Sequence, residues 1–168
     1  DTGVSDYLAS TSATAPTMPT SYDYRRRIGS ILRESATIVA VTQAGDSFTR
    51  TASVLDIDVL NPGTAAVSRT LSVPTGINVS AVINVAGGNG ASAVLYYFSD
   101  LAVTDVAPSD TVTPLAQLRV AASILGHTSL AIRTNTVAAI RSRASFSDAN
   151  VIERIATLGW IDTRERNA

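Results

Sequence analysis

Hydrophobic and polar positions alternate along this chain with a period near two, and in short runs. Residues 78–85 are the clearest case: Val79, Ala81, Ile83 and Val85 share one face and Ser80 and Asn84 the other, with Val82 the exception. That pattern predicts a half-buried strand. Residues 92–98 place Val94, Tyr96 and Phe98 on one face and Leu95 and Tyr97 on the other. Residues 37–43 are continuous and β-branched, as a strand buried on both faces would be. Residues 48–60 alternate more weakly, with Leu55, Ile57 and Val59 in phase. Further strands are predicted at 7–10, 22–32, 66–73 and 101–104, and residues 129–133 and 137–144 read as a hairpin about Thr134-Asn135-Thr136.

Two segments fit more than one element. Residues 115–125 suit a helix or a strand and are broken by Gly126-His127. In residues 148–159, Val151, Ile152, Ile155 and Leu158 would suit an amphipathic helix with Asp148 as N-cap and Gly159 as its end. Val151 stands where a capping box wants Glu or Gln, however, and the neighbouring segments are strands, so a strand is preferred. Breakers fall between the runs: Ala44-Gly45-Asp46, Asn61-Pro62-Gly63, Pro74-Thr75-Gly76, and Gly87-Gly88-Asn89-Gly90 as a hairpin loop. Roughly ten to twelve short segments at such spacing predict an all-β domain, an antiparallel β-sandwich or jelly roll, over residues 1–168. Residues 1–21 form its lead-in, a short strand and an extended strap: Pro16 and Pro19 each fix φ and remove a donor, keeping residues 14–21 out of any ladder.

Composition sharpens this picture in three ways. Charged residues are 16% of the chain against about 25% in ordinary soluble domains, and mean hydropathy is +0.20, which points to a surface partly covered by other copies. All thirteen basic residues are arginine and the net charge is −1, so a nucleic-acid partner is not expected. Cysteine is absent, which excludes disulfides and thiolate chemistry. No apolar run reaches membrane-helix length, so membrane insertion is not expected. A start at Asp1, with neither methionine nor a signal-like run, reads as a fragment of a longer chain.

Candidate chemistry is sparse. His127 is the sole histidine and stands beside a glycine with no nucleophile motif around any serine, so neither a triad nor zinc is expected. Asp56 and Asp58 would share one strand face about 6.5–7 Å apart, within reach of a glycosidase pair. A solvated strand face explains them as well, and the loop acids Asp105 and Asp110 are weaker candidates. Gly87–Gly90 lacks the Gly-Lys-Ser/Thr ending of a phosphate loop. Asn78-Val79-Ser80 matches a glycosylation sequon but lies inside a predicted strand. Tyr96, Tyr97 and Asp100 form the densest aromatic group with an adjacent acid, the pairing that stacks on sugar rings and accepts their hydroxyl hydrogens. Arg25 and Arg27, on one side of the basic cluster 25–27, are candidate subunit contacts through salt bridges, with an anionic glycan as the alternative partner. Trp160 is a candidate core or subunit-interface anchor. No cofactor, metal or catalytic residue is expected.

One segment carries a resemblance. Pro19-x-x-Tyr22-x-x-x-Arg26-Arg27-Ile28-Gly29-Ser30, followed by Gln43-x-Gly45-Asp46-x-Phe48, resembles a stretch that recurs in phage virion proteins, notably tail fibres and related appendages. The likeness is looser at Leu71-Ser72-Val73-Pro74-Thr75-Gly76 and at Gly159-Trp160-Ile161-Asp162-x-Arg164. It implies location in the virion, assembly as a homotrimer, other virion proteins as partners, and attachment to a host-surface polysaccharide or envelope receptor without turnover. A purely structural part (head fibre, decoration or baseplate piece) and a polysaccharide-depolymerising tailspike are the alternatives.

Overall fold

A computed structural model describes residues 6–12, 15–113 and 115–164. The start expected over residues 1–5, Thr14 at the head of the strap, and Pro114 lie outside the described residues. Eleven strands are present among those described: β1 (Arg33–Glu34), β2 (Thr37–Ile38), β3 (Val41–Ala44), β4 (Ser47–Leu60), β5 (Val67–Thr70), β6 (Ser80–Gly88), β7 (Val94–Ser99), β8 (Leu118–Val120), β9 (Leu125–Arg133), β10 (Ala139–Ala144) and β11 (Ile152–Ile161). β1 and β2 form a small hairpin; the others make a four-stranded sheet, β5-β10-β7-β8, and a five-stranded sheet, β3-β4-β11-β6-β9. Every ladder between these strands is antiparallel. The expected all-β antiparallel architecture is therefore present.

The two sheets face each other across one apolar core. Phe48, Ala81, Ile83, Val85, Ile155 and Trp160 come from the larger sheet, and Val94, Tyr96, Phe98, Val120 and Ile140 from the smaller. The alternation read in residues 79–85 and 94–98 is the alternation of burial. Few aromatics suffice because they stack: Phe48 on Trp160 at 5.3 Å, and Tyr96 beside Phe98 at 6.1 Å.

Glycines set several close approaches, two of which bear directly on the core. Gly87 lies flat beneath the Tyr96 ring, where a Cβ would come within 2.6 Å of ring carbons. Gly87 and Gly88 thus close β6, Asn89 and Gly90 begin the loop to β7, and the two strands do not pair as a hairpin. Gly159 faces the Phe48 carbonyl oxygen, 2.1 Å from where a Cβ would stand. The β4–β11 register shifts at this point, since Thr157 pairs with Val54 and Gly159 with Thr49. Residues 50–53 of β4 thus stand opposite Leu158 alone, a large irregular bulge.

Several sequence expectations fail, each for a tertiary reason. Residues 7–10 form no strand. Residues 22–32 are not a strand either: they are held by side chains of the sandwich instead of a ladder. The run 37–43 is not one buried strand; it splits into β2 and β3, which pair with different neighbours and stay largely exposed. Residues 101–104 are turns. Residues 115–125 contain β8 and the turn into β9, and Gly126-His127 lies within β9. The expected hairpin between 129–133 and 137–144 is absent because β9 pairs with β6 and β10 with β5 and β7. The chain crosses between sheets there, so that Ile132 and Ile140 can both enter the core. The preference for a strand over a helix near the C-terminus holds: β11 is the centre of its sheet.

One ion pair crosses the sandwich. Arg69 of β5 reaches Glu153 of β11 with two hydrogen bonds of 3.2 and 2.7 Å, and its Nε also contacts the Ser142 hydroxyl at 3.1 Å. Glu153 is buried and Arg69 nearly so, and removing Arg69 strands a buried carboxylate.

Two outcomes are expected in thermal or chemical denaturation. Gly159→Ala, which must push β4 off β11, destabilises by about 3 kcal/mol, whereas Gly45→Ala, strained only through its positive φ, loses about 1 kcal/mol. Glu153→Ala costs about 3–5 kcal/mol while the Arg69→Met/Glu153→Leu double variant recovers most of it.

Candidate functional site

Strand β7 divides the expected sugar-binding group. Tyr96 points inward and is fully buried. Its hydroxyl donates to the Ile152 carbonyl at 2.6 Å and accepts from the Gly88 amide at 3.0 Å, and burial pushes its pKa up to about 12. Tyr96 is a core residue with a satisfied hydroxyl and cannot meet a ligand at the surface. Tyr97, one residue on, lies half-buried on the outer face of the four-stranded sheet, in register with Arg143 of β10. Asp100 accepts from the Ala102 amide at 2.9 Å and pairs with Arg133 of β9 at 3.0 Å. The three residues do not form one patch.

The candidate subunit contacts are likewise engaged within the chain. Arg27 grips the fully buried carboxylate of Asp162 with bonds of 3.0 and 3.1 Å. Trp160 is buried, its indole N–H donating to the Ser30 hydroxyl at 3.0 Å. It is therefore a core anchor and not an interface residue. Arg25 lies exposed in the segment after the strap.

Asp56 and Asp58 do not act as a pair. A bulge between Leu55 and Ile57 takes Asp56 out of register, and its carboxylate accepts from the Ser72 amide and hydroxyl and from the Thr157 hydroxyl. Asp58 remains in register with Arg154 and pairs with it at 2.8 Å on the exposed outer face. His127 is exposed in β9. Among the described residues no group of three or more His, Cys, Asp or Glu is placed to hold a metal. No helix is long and apolar enough to cross a membrane.

The most organised exposed surface is the outer face of the four-stranded sheet with the long β7–β8 connection that crosses it. Arg141 Nη1 and Nη2 donate to the Val103 and Leu101 carbonyls at 2.5 and 3.3 Å. Arg143 pairs with Asp105 at 2.8 Å and donates to the Thr64 carbonyl at 3.2 Å. Arg119 of β8 pairs with Asp110 at 2.7 Å. Three arginines, two from β10 and one from β8, thus clasp the connection, with Tyr97 on β7 between those strands. The signal for this in the sequence was alternation: Ile140, Ser142 and Ala144 face inward, which turns Arg141 and Arg143 outward. That Asp105 and Asp110 would close onto them depended on the loop's path.

A second recess, about 350 Å³, opens beside β2 and the β4 bulge and is lined by Glu34, Ile38, Arg50 and Thr51 among others. Arg50 forms two 2.9 Å bonds to Glu34 and donates to the Ser72 and Ala52 carbonyls, both at 3.2 Å. Its donors serve the protein itself, which makes this recess a structural junction.

No protein-family model matches the chain, and no curated protein matches it in sequence.

The hydrogen bond from Arg50 holds the Glu34 carboxyl below its ordinary value near 4.5, outweighing the opposing effect of burial. A depressed folded-state pKa contributes stability that is present above the unfolded value and lost as pH falls through the folded one. Glu34→Gln should therefore lower the melting temperature at neutral pH, with the gap to the parent closing as pH drops below about 4. A gap that persists unchanged at low pH would count against the ion pair.

Proposed function

We propose that this chain is a virion component of a phage appendage that attaches to host-surface polysaccharide or another envelope receptor, as a homotrimer and without turnover. One observation carries the reading. The residues of the virion-protein resemblance, far apart in sequence, meet in one knot: Arg27 on Asp162, Gly29 against the Phe48 ring, Ser30 on Trp160, and Arg164 on Asp46 and the Ile28 carbonyl. The resemblance thus coincides with a scaffold element that anchors the strap. A scaffold of this kind leaves recognition to loops, and the β7–β8 connection is the largest loop on the outer surface. Weak contacts at several copies add through avidity.

Oligomer formation is supported by apolar side chains left in water. Tyr24 is 93% exposed, and Ile31 and Ile38 66% each, all near the strap, while Leu55 and Leu60 are exposed on the outer side of β4. The same side chains favour the second reading, a purely structural virion part in which strap and sheet are covered by neighbours.

Light scattering in dilute solution is expected to give three times the 17.5 kDa chain mass, and labelled protein is expected to adhere to host cells and to their isolated polysaccharide. Failure to bind any cell fraction would favour the structural reading. Release of reducing ends from purified polysaccharide would establish a depolymerase instead.

A further inference from the structure

We propose that the outer face of the four-stranded sheet is a binding site for a carboxylated sugar polymer, and that the β7–β8 connection covers it with two carboxylates that imitate the ligand. This rests on the attachment reading and names the ligand class and the residues for it.

The argument begins with a division among the arginines. Arg50 and Arg69 are buried and hold the sandwich together through Glu34 and Glu153. Arg119 and Arg143 point outward, and their pairs with Asp110 and Asp105 are open to water on both sides: 63% and 41% exposed for the first, 25% and 38% for the second. Such exposed pairs contribute little to stability, and each can be exchanged for an incoming carboxylate of the same geometry at small net cost. Arg143 stays aimed when its partner leaves because its Nε is held by the Thr64 carbonyl.

Tyr97 supplies the second half of the site. It lies on β7, between the strands that carry the two arginines, in register with Arg143 and two positions along from Leu95, the partner of Arg119. The two arginines are two strands apart, roughly 10 Å across the sheet, a separation suited to successive residues of a polymer. Sugar rings stack on an aromatic face, and a planar guanidinium takes a carboxylate through two parallel hydrogen bonds. A guanidinium, a ring and a second guanidinium in a row therefore fit an acidic polysaccharide better than a neutral one. The cover is the segment 100–117, whose described residues carry no regular strand or helix apart from one isolated bridge, and it is longer than most connections in compact domains. Arg141, which binds only its carbonyls at Leu101 and Val103, keeps the base of the connection in place while the acidic part moves.

The test titrates the protein with tetragalacturonate, with maltotetraose as the neutral control, by calorimetry or NMR, alongside the host-cell adherence assay. Asp105→Asn/Asp110→Asn uncovers both arginines and is expected to tighten tetragalacturonate binding about fivefold, whereas Arg119→Gln/Arg143→Gln weakens it tenfold or more, about the loss of charge-assisted hydrogen bonds. Both variants should melt close to the parent, since the pairs are exposed. Equal affinity in the parent and the uncovered variant, no binding by either, or equal binding of maltotetraose would overturn the proposal. Adherence of the parent protein to host cells alongside any of these results would leave the attachment reading standing and place its contacts elsewhere. Loss of adherence together with them would end both.

Discussion

The close approach of β4 and β11 at Gly159 is the constraint on which the rest of the structure depends. Without a side chain at that position, the Phe48 carbonyl comes within van der Waals range of the β11 backbone, and the Phe48 and Trp160 rings can lie nearly parallel. The stack fills the end of the sandwich where the strap arrives. Ser30 then finds the indole N–H, Arg27 finds Asp162, and Gly29 passes under the Phe48 ring. A segment without ladder bonds is held in place by side-chain contacts to β4, close by in sequence, and to β11 and Asp162, more than a hundred residues away.

Polar groups do different work inside and outside this sandwich. Inside, each buried charge among the described residues has a geometric partner: Glu153 with Arg69, Asp162 with Arg27, and Arg50 with Glu34. Replacing such pairs by apolar residues is often neutral for stability, so their value lies in fixing which strands meet. Arg69–Glu153 ties the edge strand of one sheet to the central strand of the other. Outside, the pairs on the four-stranded sheet hold a connection against a surface with little energy, the condition under which a covering segment can yield to a ligand.

The low charge content has a counterpart in the exposed apolar residues of the strap and of the outer side of β4. A sandwich with so few aromatics could be expected to draw every large apolar group inward, yet Tyr24, Ile31 and Ile38 remain in water. They lie in the segment 22–32 and on the β1–β2 hairpin that follows it, elements that pack on the core through Leu32 and Gly29 and turn their other side outward. An assembly that covers this side would relieve the exposure, and it would leave the arginine-lined sheet on the opposite layer facing the surroundings.

What could be read directly was local. Period-two alternation named the inward faces of β6 and β7 correctly, since a strand between core and solvent leaves no other phase. The turns at Gly45 and after Leu60 announced themselves through residues suited to positive φ, and a missing capping box helped recognise β11 as a strand. Tyr96, Tyr97 and Asp100 are neighbours in sequence, yet the alternation already legible there puts Tyr96 and Tyr97 on opposite faces, and the structure sends the first into the core. Asp56 and Asp58 looked like a pair because a bulge has no local signature. Whether 22–32 would find a ladder, which sheet each of β9 and β10 would join, and which carboxylate each arginine would meet were decided only when the sheets closed. Chain chemistry thus determined the strand character and the inner faces of β6 and β7, while pairing partners are long-range choices, settled by competition among contacts that no short window of sequence contains.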